Sequence, residues 1–94
     1  MLVARGVSAN AGDAKKIRES LEGTAGVESV IHMKTLYLGP DELMVAAKIA
    51  VSASASAQDI ATVIDVAESA VREAVPAARV IYLEPDIARV SAKK

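Results

Sequence analysis

Between His32 and Val51 the chain reads HMKTLYLGPDELMVAAKIAV, two apolar stretches joined by Leu38-Gly39-Pro40-Asp41. Beyond the turn the pattern has period two. Leu43, Val45, Ala47, Ile49 and Val51 fall on one side of an extended chain, and Met44, Ala46, Lys48 and Ala50 fall on the other. Proline pre-sets φ for a β-turn, glycine adds backbone freedom, and Asp41 can bond its own backbone. The stretch predicts a β-hairpin whose first strand begins at Val27 and runs through His32 and Met33 to Leu38.

The flanking segments change period from 2 to 3.6. Asn10-Ala11-Gly12-Asp13 opens a helix, with Asn10 as the N-cap and Asp13 in the first turn. Ala14, Ile17 and Leu21 form its narrow apolar stripe, and Gly23 and Gly26 end it. After the small-residue loop Ser52–Ser56, a capping box in Ser56-Ala57-Gln58-Asp59 starts a second helix. This one carries Ile60, Val63, Ile64, Ala67 and Val71 on one face, and Pro76 prevents its continuation. A last strand, Arg79 to Leu83, closes into Glu84-Pro85-Asp86. Residues 1–9 and 87–94 read as flexible ends of a single domain spanning residues 1–94.

The order helix, strand, strand, helix, strand is an α+β arrangement. Two helices of this size cover one face of a three-stranded sheet and leave the other open. That other face offers Leu36, Met44, Ala46 and Ala50, which is too apolar to be left to water. A dimer interface built on these four residues is the expectation.

Composition sharpens this. Ninety-four residues make one small domain, and 52% hydrophobic with 24% charged residues is globular composition. Tyr37 and Tyr82 are the only aromatic residues, so the core must be aliphatic and thin. A lone protomer is then marginal, and a second copy is an economical remedy. With a net charge of −1 and scattered Lys and Arg, nothing here draws a polyanion, so nucleic acid is not an expected partner. The longest uncharged run, between Lys48 and Asp59, is too short to span a bilayer, and no signal peptide is visible. A cytoplasmic location is the expectation.

Catalytic patterns are missing. The five glycines are dispersed and form no phosphate loop. No serine stands in a nucleophile elbow to partner His32. Two tyrosines make no base-stacking platform, and without cysteine there is no thiolate metal site. The expectation is that the chain is not an enzyme. His32 is the single histidine, and one imidazole does not hold zinc. Glu84 and Asp86 could join it only across two protomers. Taken alone, His32 reads more simply as a half-buried strand residue and Glu84 as a solvated strand end.

Gly26-Val27, His32-Met33-Lys34-Thr35, Leu38-Gly39-Pro40 and the ending Pro76-Ala77-Ala78-Arg79-Val80-Ile81-Tyr82-Leu83-Glu84-Pro85-Asp86 together resemble the cytoplasmic C-terminal domain of cation diffusion facilitator transporters. The resemblance runs from Ala14 to Asp86. It implies a truncated ferredoxin-like αββαβ fold with a three-stranded mixed sheet and both helices on one face. It also implies a homodimer below the transmembrane domain of a divalent-cation exporter, regulated in many members by zinc or another divalent cation between protomers. His32, Glu84 and Asp86 are the metal candidates that this reading offers.

Two departures weigh against a metal site and leave a cofactor-free domain equally open. Members with a metal site carry a His-x-Asp step where this chain has Leu83-Glu84-Pro85, with Asp86 one place later. Aligned from Gly26-Val27 without gaps, the family's strand histidine falls at Ile31, which puts His32 on the opposite face of a regular strand. Leu2 to Ser8 reads as a segment leading out of a preceding domain. The competing reading is a stand-alone ferredoxin-like or ACT-like module that binds a small molecule at a dimer interface. Such sites usually place a Gly-rich turn between the first strand and helix, where Ser8-Ala9-Asn10-Ala11-Gly12 is only partly suitable.

Overall fold

The computed structural model describes residues 9–88. The chain folds as α1 (Ala11–Glu22), β1 (Ser29–Gly39), β2 (Glu42–Val51), α2 (Ala57–Ala74) and β3 (Ala78–Ile87). The sheet order is β1-β2-β3, antiparallel between β1 and β2 and parallel between β2 and β3. A parallel pair needs a long crossover, and α2 supplies it. The expected α+β, αββαβ architecture is the one found.

Both helices start as their caps dictate. The Asn10 side chain accepts a bond from the Asp13 N–H at 2.7 Å. In α2 the Ser56 hydroxyl accepts from the Asp59 N–H, while the Asp59 carboxylate accepts from the Ser56 N–H. Each arrangement satisfies donors that a helix start leaves open. The end of α1 differs from expectation: Gly23 keeps a right-handed conformation at φ −82°, and it is Gly26, in the loop beyond, that takes φ 97°.

The core lies between the helices and one face of the sheet. Ile17 and Leu21 of α1, Ala67 and Val71 of α2, Leu43, Val45 and Ala47 of β2, and Ile81 of β3 form one buried cluster. Ile49 and Val51 continue it with Val27, beneath Ile60 and Val63. Every position assigned to the inner face of β2 is therefore buried.

Three local details depart from the sequence reading. Gly39 pairs with Glu42, so the hairpin turns on Pro40-Asp41 and proline takes the second turn position. Gly39 lacks a positive φ, so the turn does not use its freedom. β3 also does not stop at Leu83 but continues in register through Glu84, Pro85 and Asp86 to Ile87. Proline is tolerated there because β3 is an edge strand, where one side of the ladder needs no donor. The Ala88 N–H still donates to the Val51 carbonyl, so residues 87 and 88 are tied to the sheet. Residues 1–8 and 89–94, the rest of the ends read as flexible, lie outside the described residues.

Candidate functional site

The face of the sheet away from the helices follows from the pairing register. Along it lie the rows Leu36–Met44–Val80, Lys34–Ala46–Tyr82 and His32–Lys48–Glu84, each running from β1 through β2 to β3. Asp86 stands two residues beyond Glu84 and so shares this face. A groove of about 230 Å³ runs here, lined among others by His32, Lys34, Ala46, Lys48, Tyr82 and Glu84.

His32 is here for a reason the alternation did not reveal. Val30 pairs with Ile49 and His32 with Lys48, so Ile31 and His32 together oppose a single step of β2. This is a β-bulge, and it shifts the phase of β1 by one residue. Val30 packs on the core cluster and His32 lines the groove, although regular spacing would put both on the same face. The expectation of an opposite-face placement assumed an unbroken strand, and the bulge instead leaves His32 on the open face, opposite Lys48.

All three metal candidates share the open face, and between the two carboxylates stands a cation that the sequence reading passed over. Lys48 Nζ lies 3.9 Å from Glu84 Oε2 and 4.0 Å from Asp86 Oδ2. The signal was present: Lys48 is the single charge within the apolar run Leu43–Val51 of the central strand. Imidazole and carboxylate are suitable donors for borderline and hard divalent cations, so the residue types fit such an ion. Among the described residues, however, no group of three His, Cys, Asp or Glu side chains is placed to hold one.

The apolar candidates divide. Leu36, Met44 and Ala46 are half-buried on the open face, beside Tyr82 at 63% exposure. Ala50 is already buried within the protomer at 3% exposure, between Ser29 of β1 and Asp86 of β3. It has little surface left for a partner. Tyr82, absent from the sequence list, offers the most.

The family model for the cytoplasmic domain of cation efflux proteins matches residues 10–86. No curated protein matches the chain in sequence. Among solved structures, a double variant of the MamM C-terminal domain has a TM-score of 0.78 at 20% identity, over 84% of this chain and 94% of its own. A nickel form of another MamM variant gives 0.77 at 18% identity, over 83% and 98%. A cadmium form gives 0.79 at 17%, over 86% and 100%. At these identities the likeness is one of fold. Among the described residues no helix is long and apolar enough to cross a membrane.

Proposed function

This chain belongs to the cytoplasmic-domain family of cation efflux proteins, and from that premise we propose that it is the regulatory dimerisation domain of a divalent-cation exporter. Two copies pair through the open sheet faces, and a divalent cation bound at that junction reports cation supply to the transporter. Pairing and regulation need no bond-making chemistry, and no catalytic role is assigned.

The observation that carries this reading is the composition of the uncovered face. Leu36, Met44, Ala46 and Tyr82 form its apolar part, and His32, Glu84 and Asp86 line one end of it. The apolar residues would supply contact area, and the polar end would answer to charge. His32 would bind through an imidazole nitrogen, Glu84 and Asp86 through carboxylate oxygens, with further donors from the second copy. A bound divalent cation supplies the positive charge that lets carboxylates of two protomers approach. The nickel and cadmium forms of MamM C-terminal-domain variants support a cation of this class.

The small-molecule alternative needs Ser8–Gly12 as a ligand turn. Asn10 instead caps α1 with its side-chain oxygen, and the Ala9 N–H donates to the Thr35 hydroxyl at 2.9 Å. Both groups serve the fold.

Absolute mass by light scattering, in EDTA and then with zinc, tests the proposal. The expected result is a dimer at micromolar concentration that zinc strengthens. Ala46→Asp puts a charge in the middle of the face and should give a monomer with unchanged helical circular dichroism. A variant that keeps the dimer mass would remove this face from the interface.

A further inference from the structure

The β2 row His32–Lys48–Glu84 is unusual in placing a lysine on the central strand of a small sheet, in a run that is otherwise apolar. Carboxylates two residues apart on one strand stand about 6–7 Å from each other. The Lys48 ammonium lies between them, at nearly equal distance from both. That is where a cation drawing on both carboxylates would have to come. The Lys48 side chain is 38% exposed, so it lies along the groove and keeps its charged end at the carboxylates.

We propose that Lys48 is a tethered cation which holds Glu84 and Asp86 in the metal-free protein and must swing away before a divalent cation can use both. It thereby sets the concentration at which this face responds. The inference rests on the reading of the open face as a cation-binding junction and deepens it by naming the residue that tunes the response. The flexible lysine stem makes such a displacement feasible, since its four-carbon chain can reach solvent without moving the strand. Without the ammonium, the two carboxylates lose a shared cation, and an incoming cation would meet less competition and less repulsion.

Calorimetric titration of the full chain with zinc chloride tests this, using wild type, Lys48→Met and Lys48→Arg. Circular dichroism first establishes that each variant is folded, with Lys48→Gln as the substitute should the methionine variant fail. Losing two partly exposed ion pairs and one repulsive charge should tighten zinc binding about tenfold in Lys48→Met. Lys48→Arg, which keeps the charge, should bind like wild type. The gap between wild type and Lys48→Met should narrow as sodium chloride is raised from 50 to 500 mM, because competition between charges is screened. Adding Asp86→Asn to Lys48→Met should abolish the gain. Zinc binding of equal or lower affinity in Lys48→Met than in wild type would overturn the role of Lys48 and leave the cation junction standing. Absence of zinc binding in every variant would overturn the junction itself, and the role of Lys48 with it.

Discussion

Gly26 shows how one residue can fix the join between two elements. It has φ 97°, and a β-carbon built there would run into Val63 Cγ2 of α2. Glycine is therefore required twice, for backbone freedom and for the close approach of the α1–β1 loop to the second helix. Gly26→Ala should cost at least about 2 kcal/mol, combining the strain of a left-handed alanine with local overpacking. For a domain of this size the melting temperature should fall by about 8 °C or more. A companion Val63→Ala change relieves the overlap but not the strain, so the double variant should recover only part of the loss. A single variant that melts within 2 °C of wild type would mean that the loop relaxes and that neither constraint binds. The sequence showed a glycine after a helix and so suggested a helix stop. The actual requirement comes from Val63, 37 residues away in the chain, which local chemistry cannot reveal.

At the scale of elements, the legible strands are those whose alternation is unbroken. The inner face of β2 could be read directly because Leu43, Val45, Ala47 and Ile49 alternate with Met44, Ala46 and Lys48, and all four are buried. β1 could not, because Val30 and Ile31 are both β-branched and apolar, and either could belong to the core. The structure settles the choice with the bulge, burying part of Val30 and leaving Ile31 48% exposed. Pro85 misled for a related reason: proline ends a central strand, and that β3 lies at an edge is a fact of topology. The bulge makes its own prediction. Removing Ile31 should leave Val30 opposite Ile49 and His32 opposite Lys48 in an unbroken ladder, with each on its present face. Stability should change by no more than about 1.5 kcal/mol, and the zinc affinity of the chain should be kept. Denaturant unfolding and the same calorimetry would check both. A collapse in stability together with loss of zinc binding would show that the bulge, rather than the phase it sets, is what the face needs.

For the whole molecule the limiting quantity is core size. The largest fully buried side chains are Ile17, Leu21, Leu43, Ile49, Val45 and Val71, all aliphatic. The shortest extent of the fold is 19 Å, that of one helix layer on one sheet, and among the described residues no element covers the far side. Such a domain has little stability to spare, and covering Tyr82, Met44 and Leu36 with a second copy adds apolar burial that one protomer lacks. Dimerisation and folding should then be linked by mass action. The melting temperature of wild type should rise with protein concentration, by several degrees between 2 and 200 μM, and rise again with zinc. Ala46→Asp should melt lower than wild type at 200 μM and at a temperature independent of concentration, because its folding no longer includes association. A concentration-independent melting temperature in wild type would mean that the single protomer carries its own stability, so that the open face is a docking surface without a share in the fold. A rise shared equally by wild type and Ala46→Asp would place the stabilising contact on some other surface.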